Sequence, residues 1–194
     1  NVKETGNTNS STLKTSKNNL YDIKWIPYDE LEEKELKHTE NPNSEKMSFD
    51  NEGLWLIFED GSGTGKELSN ELEKKGQKCI FVLPGKEYSV SSNDGKIFVN
   101  PENEKDFENL FFHASKNSDL PLKGILHLWN LDAVNCGEIN SKVIDKSHKL
   151  GCISVMNLTK TIENSSINTR IWIVTRGANA INKKAKEYMC LQAP

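Results

Sequence analysis

The fold of this chain is decided by residues 54–83, which read Leu54-Trp-Leu-Ile-Phe58, Glu59-Asp-Gly-Ser-Gly-Thr-Gly65, Lys66 to Gly76, and Cys79-Ile-Phe-Val-Leu83. An apolar run, a glycine loop, a helical segment and a second apolar run are the parts of the βαβ unit that opens a nucleotide-type fold. A helix is predicted over about 65–75, because glycine at position 76 tolerates the left-handed dihedrals that end helices.

Apolar β-type runs continue to alternate with helical patterns further along the chain. Three more strands are predicted, at Ile97–Val99, Gly124–Trp129 and Arg170–Thr175. This alternation is typical of a parallel sheet covered by helices on both faces. The sequence therefore predicts an α/β fold, with a Rossmann-like, doubly wound parallel sheet.

Two helices are predicted between the later strands. Asn100 is expected to cap the first, with Pro101 at its first position. Its buried face is expected at four positions with helical spacing: Phe107, Leu110, Phe111 and Ala114. The second helix is expected over about 138–162, with these buried positions: Val143, Leu150, Met156, Leu158 and Ile162.

The chain divides into three parts by composition. Residues 1–19 are rich in Asn, Ser, Thr and Lys and are predicted to be a polar linker. Residues 20–52 are expected to form one strand, over Leu20–Ile26, and a charged tether. Residues 53–194 are expected to form the Rossmann-like domain.

Composition excludes several classes of function. The net charge of the 194 residues is −3, which does not indicate a nucleic-acid partner. The apolar runs are far shorter than the roughly 20 residues that cross a bilayer.

No metal site is predicted, because neither the cysteines nor the histidines have metal-ligand spacing. They are Cys79, Cys136, Cys152 and Cys190, and His38, His113, His127 and His148. Buried free thiols indicate a reducing, cytoplasmic location.

The glycine loop does not match the common phosphate-binding motifs. A Walker loop would need glycine at Asp60 and a hydroxyl residue at Glu67. A dinucleotide fingerprint starting at Gly61 and Gly63 would need glycine or alanine at Lys66. The second strand is followed by Leu83-Pro-Gly85 rather than by an acidic residue for a ribose hydroxyl, and Lys86 is a weak substitute.

The loop, with Gly61, Gly63, Gly65 and Lys66, is therefore interpreted as a tight turn into a packed helix, without a cofactor. Glu59 and Asp60 would also repel a pyrophosphate. Retained nucleotide contact through Gly61–Lys66 is the alternative.

No catalytic residue is predicted either. None of the tyrosines (Tyr21, Tyr28, Tyr88, Tyr188) has a lysine four residues later, as reduction on this kind of sheet normally requires, and no G-x-S-x-G is present. His127 and Asp132 lie near the end of the fourth strand, where active sites of such folds gather, but a histidine in a Trp-containing strand is more often a core residue. The tryptophans (Trp25, Trp55, Trp129, Trp172) are interpreted as packing residues, with a stacking platform for a sugar or base as the alternative.

Four segments in this order resemble a known family. They are Leu20-Tyr-Asp-Ile-Lys-Trp25, Trp55-Leu-Ile-Phe58 with Asp60-Gly-Ser-Gly-Thr-Gly65, Leu122-Lys-Gly-Ile-Leu-His-Leu-Trp129 with Leu131-Asp132, and Ile171-Trp-Ile-Val-Thr-Arg-Gly-Ala178. Together they are similar to the N-terminal structural subdomain of the ketoreductase in modular type I polyketide synthases and related fatty acid synthases. The likeness covers about residues 20–194.

This resemblance implies a noncatalytic half of a short-chain-dehydrogenase-like reductase. NADPH and the catalytic residues would lie in a following subdomain of the same polypeptide, which would reduce β-ketoacyl groups carried on an acyl carrier protein. Two other functions stay open: a nucleotide-binding module that uses the Gly61–Lys66 loop, and a docking or dimerisation module of an inactive reductase region.

Overall fold

The computed structural model describes residues 51–133 and 140–178, all of which belong to the compact unit Pro42–Pro194. The predicted linker, 1–19, lies outside the described residues. So does the predicted strand and tether, 20–52, apart from Asn51 and Glu52.

The described chain contains β-strands, α-helices and two short helical turns. In order they are β1 (Leu54–Phe58), α1 (Thr64–Lys74), β2 (Lys78–Pro84), β3 (Ser89–Val90), β4 (Ile97–Val99), α2 (Glu104–Asn117), β5 (Leu122–His127), a 3-10 turn (Trp129–Asp132), α3 (Ser141–His148), a π turn (Lys149–Ile153), α4 (Ser154–Asn164) and β6 (Arg170–Ile173).

The strands form one sheet in the order β3-β4-β2-β1-β5-β6. All neighbouring pairs are parallel except β3 and β4, which run antiparallel. The predicted α/β fold with its five parallel strands is confirmed, and β3 makes the sheet mixed. There is little signal for β3 in the sequence, because this strand has two residues and both are exposed.

The two faces of the sheet are covered by different helices. Along β1, Leu54, Leu56 and Phe58 face the cluster formed with α2 and α4, while Trp55 and Ile57 pack with Leu68 and Leu72 of α1. All five β1 residues are buried, as expected for a central parallel strand. The helix α1 ends as predicted before Gly76, whose φ is 74°.

Helix α2 begins three residues later than predicted. Asn103, not Asn100, is its N-cap, and the Asn103 side chain accepts from the Lys105 N–H. Asn100 instead opens a turn, in which its carbonyl accepts from Asn103 N and its side chain accepts from Glu102 N. The predicted buried face of α2 is confirmed, since all four of its residues are buried.

The helical segment predicted over 138–162 is interrupted by the π turn, and residues 138 and 139 lie outside the described part of the chain. Leu150 and Leu158 are buried as predicted, but Met156 was predicted wrongly, because its side chain is 48% exposed. The buried positions of α4 are largely polar instead: Ser154, Asn157 and Thr161. Each makes a hydrogen bond to a backbone carbonyl, of Leu150, Pro101 and Asn157 respectively, which makes burial of these groups tolerable.

The strands β5 and β6 end two residues before the predicted limits, since Trp129 belongs to the 3-10 turn and β6 stops at Ile173. Cys79 is half-buried, and burial raises the pKa of its thiol to about 12. Cys152 is exposed, so its predicted burial was wrong. No helix of the described residues has the length and apolar character needed to span a membrane.

Candidate functional site

The candidate site is the crevice between the carboxyl ends of β1 and β5, where the strand order reverses. Phe58 is in register with His127, and the Leu128 N–H donates to the Phe58 carbonyl over 3.1 Å. The glycine loop after β1 and the 3-10 turn after β5 therefore leave the sheet side by side. Ligands of open α/β sheets bind at this kind of position.

The glycine loop is shaped for packing of α1 on the sheet. Gly63 lies at the N-terminus of α1 with φ of 92°, a conformation that favours glycine. Gly65 is buried against β1 and the chain after β5, since a Cβ there would meet Ile57 Cγ2 at 3.1 Å and Leu128 Cδ1 at 3.2 Å. The glycine at position 65 thus performs the close helix-to-strand packing that the last glycine of a dinucleotide fingerprint provides.

The Asp60 carboxylate accepts hydrogen bonds from the backbone N–H groups at the start of α1. It accepts from Gly65 N over 2.8 Å, from Thr64 N over 3.3 Å and from the Ser62 hydroxyl. The residue is only 4% exposed. Burial by itself disfavours the charged form, but the hydrogen bonds from Ser62, Gly65 and Thr64 hold the pKa of Asp60 below its ordinary value. Backbone N–H groups at a helix N-terminus commonly bind phosphate, and here the chain's own carboxylate takes them.

Asp132 supplies a second carboxylate from across the crevice. Its Oδ1 accepts from Gly61 N over 2.8 Å. Partial burial raises the pKa of Asp132, as does the charge of Asp60, while the Gly61 N–H and Lys146 act in the opposite direction. The loop after β1 is therefore held by two carboxylates, one from within the loop and one from the turn after β5.

Glu59 is paired as well. Its Oε2 lies 2.7 Å from the Nζ of Lys96, which also lies 5.5 Å from the centre of the Phe81 ring. Lys66, the nearest lysine along the chain, is exposed. No local pattern indicated Lys96 as the partner, because 37 residues separate it from Glu59.

The end of β2 is used for packing between strands. The Gly85 N–H donates to the Val99 carbonyl over 2.8 Å, and a Cβ on Gly85 would lie 2.9 Å from Phe98 Cβ. Lys86 is exposed, and its carbonyl accepts from the Asn100 side chain. The position where dinucleotide-binding folds present an acidic residue to the ribose is thus occupied by a turn between β2 and β3.

His127 belongs to the core. It is fully buried, with its ring 5.0 Å from the Phe58 ring and 5.3 Å from the Trp129 ring. Burial lowers the pKa of His127 to about 4, so the imidazole is neutral near pH 7.

Trp55 and Trp129 are buried and Trp172 is half-buried, while Trp25 lies outside the described residues. Within the described ranges, no group of three or more His, Cys, Asp or Glu side chains is arranged to hold a metal ion.

Comparison with known families identifies the domain. A family model described as beta-ketoacyl synthase-like, N-terminal, matches residues 53–183, which is most of the chain. The chain belongs to this beta-ketoacyl synthase-like N-terminal family. No curated protein matches it significantly in sequence.

Three solved structures share the fold of this family member. One is a keto acid-selecting NRPS module with adenylation, ketoreductase and pseudo-Asub domains (TM-score 0.63, 23% identity, 73% of this chain and 11% of that chain). The others are a 3-ketoacyl-(acyl-carrier-protein) reductase from Brucella melitensis complexed with NADH (0.51, 15%, 75% and 66%) and a ligand-free aldohexose dehydrogenase from Thermoplasma acidophilum (0.50, 12%, 73% and 56%).

These comparisons confirm the resemblance to the ketoreductase region that the sequence predicted. The family match carries the assignment, and the structural likeness, at 23% identity or less, shows the Rossmann-like fold. The chain spans 66% or less of each of the three proteins.

Proposed function

We propose that this family member is a noncatalytic structural subdomain, which supports a ketoreductase in a polyketide or fatty acid synthase. The reaction of the parent is reduction of a β-ketoacyl group on an acyl carrier protein. NADPH and the catalytic residues then belong to a catalytic subdomain of the same polypeptide, in the cytoplasm. The family match supports the reductase-related part of this proposal.

The observation that best supports the proposed noncatalytic role is the position of Asp60. The N–H groups of Thr64 and Gly65 point at its carboxylate, where a Rossmann-type site would hold a pyrophosphate. A pyrophosphate entering there would meet a buried like charge, at a cost of about 1–4 kcal/mol for charges 4 Å apart. The loop instead stabilises the contact between α1 and the sheet through Gly65.

Calorimetry with NADPH and with ATP separates this proposal from a nucleotide-binding module. We expect no binding of either by the unaltered chain at micromolar concentrations. Micromolar binding of either nucleotide would refute the noncatalytic role and favour a nucleotide site in the Gly61–Lys66 loop.

A second experiment tests the support of an active enzyme. The catalytic subdomain is expressed with and without this chain, and ketone reduction is followed through NADPH oxidation, together with the melting temperature of each protein. We expect the longer protein to be active, and the shorter one to be less stable and less active. Equal stability and activity of both would refute the supporting role, and inactivity of the longer protein would favour a docking module of an inactive reductase.

A further inference from the structure

The bond between Asp132 and Gly61 joins two segments that are 71 residues apart in the sequence. The Gly61 N–H donates to Asp132 Oδ1 over 2.8 Å, and a Cβ on Gly61 would lie only 3.3 Å from the same oxygen. A side chain at position 61 would therefore require the carboxylate to shift by a few tenths of an ångström. The contact needs an acceptor in the 3-10 turn, and the absence of a side chain at Gly61 leaves room for it.

This bond lies across the crevice where the sheet order reverses. The Gly61 N–H belongs to the same loop as the amides of Thr64 and Gly65 that Asp60 already occupies. With Asp132 in place, the N–H groups of all three residues point at carboxylates of the chain. An incoming anion would meet two negative charges and would have to displace one of them.

A cavity of about 140 Å³ lies beside Asp132 and gives an anion room to enter if this carboxylate is removed. Lys146 lines the cavity and supplies a positive charge. Trp129 lines it too, and its buried indole Nε1–H has no acceptor among the described residues. The surroundings of Asp132 thus contain a cation and an unused N–H donor, which are groups that bind phosphate.

We propose that the Asp132 carboxylate, which lies at the exposed edge of the crevice, excludes phosphate groups from it, because this carboxylate accepts from the Gly61 N–H and places a second negative charge beside Asp60. The proposal rests on the proposed function, since a subdomain without a cofactor of its own has to leave free nucleotides unbound. Removal of Asp132 uncovers a weak phosphate site at Gly61 and Lys146.

The test is a titration of the ¹⁵N-labelled chain with inorganic phosphate, at an ionic strength held constant with chloride, while the Gly61 amide signal is followed. The chains compared are the unaltered one, Asp132→Ala and Asp132→Asn. Asp145→Asn is the matched control, because it removes a carboxylate one residue from Lys146 and leaves Gly61 untouched.

We expect a saturable shift of the Gly61 signal in Asp132→Ala, with half-saturation at a phosphate concentration roughly tenfold or more below that of the unaltered chain. Asp145→Asn should behave as the unaltered chain does. A folded Asp132→Ala chain that binds phosphate no more tightly than the unaltered chain would overturn the proposal. Asp132→Asn, which keeps an acceptor for the Gly61 N–H, should gain less affinity than Asp132→Ala. If Asp132→Ala does not fold, Asp132→Ser, which has no charge and a shorter side chain, replaces it in the same comparison.

This outcome is independent of the nucleotide experiment. Binding of NADPH or ATP by the unaltered chain would refute the proposed function. An Asp132→Ala chain that gains no phosphate affinity, beside an unaltered chain that binds no nucleotide, would refute the role of Asp132 alone.

Discussion

The imidazole Nε2 of His127 lies 2.9 Å from the hydroxyl oxygen of Ser154, and both side chains are fully buried. Because the Ser154 hydroxyl donates to the Leu150 carbonyl, the hydrogen-bond network assigns the proton of the neutral ring to Nε2. Nδ1 then carries a lone pair and has no partner among the described residues. A second proton on Nδ1 would be buried with only the backbone of His127 itself to offset the cost of burial, which agrees with the lowered pKa of His127.

Stability should therefore fall as the pH is lowered from 6.5 to about 4. Over this range the unfolded chain protonates His127 while the folded chain does not, so protons favour unfolding. The interval between the two pKa values corresponds to roughly 3 kcal/mol. Urea unfolding at several pH values measures the effect. His127→Gln should remove most of this pH dependence and His113→Gln should retain it, and the opposite result would contradict the assignment.

Gly65→Ala should destabilise the fold by about 1–3 kcal/mol, because the added Cβ lies too close to Ile57 and Leu128. Asn70→Ala, at an exposed position of the same helix, is the control and should change stability by no more than about 0.5 kcal/mol. Thermal or urea unfolding of both variants checks the difference. Equal stability of the two would mean that α1 is not packed against β1 through Gly65.

Asp60→Asn should cost about 1–3 kcal/mol near neutral pH, since the bonds of Ser62, Thr64 and Gly65 to a charged acceptor are weakened. The folded pKa of Asp60 is lowered, so its contribution is present above the ordinary value and is lost as the pH falls through the folded pKa. The unaltered chain and the Asp60→Asn variant should thus converge in stability in strong acid. Denaturant unfolding measures the effect, with Asp119→Asn at an exposed position as the control. An equally large loss of stability in Asp119→Asn would argue against a specific role of Asp60.

On α4, the polar residue at position 157 should matter more than the apolar residue before it. Asn157→Leu removes the bond to the Pro101 carbonyl and is expected to cost about 1–3 kcal/mol. Met156→Gln changes a side chain that is nearly half exposed and should stay within about 0.5 kcal/mol. The unfolding midpoints of the two variants provide the test. A larger loss of stability for Met156→Gln would mean that the face of α4 with Met156, rather than the face with Asn157, packs against the sheet.

Met156 and Asn157 also show how far hydropathy alone predicts which residues are buried. Hydrophobic runs located the five parallel strands and the buried face of α2, because there the apolar residues are the buried ones. On α4 the buried face contains Ser154, Asn157 and Thr161, and the partner of Asn157, the Pro101 carbonyl, is 56 residues away in the sequence. Hydropathy therefore pointed to Met156 instead.

The candidate site was predicted in part. The loop motif indicated a tight turn into a packed helix, and the structure adds that Gly65 is the point of closest packing between α1 and the sheet. The signal for Asp60 was present, since an acidic residue before a glycine loop can bond to the amides that follow. Asp132 and Lys96 reach their partners only through the folded sheet, and no local pattern identifies them.

The antiparallel β3 has a consequence for how the sheet can be extended. Among the described residues, β3 is the edge strand on one side, and its two residues offer few free backbone groups to guide the addition of another strand. At the opposite edge, β6 is longer and runs parallel to its neighbour. A strand that lengthens the described sheet would therefore find more backbone hydrogen-bonding groups next to β6 than next to β3.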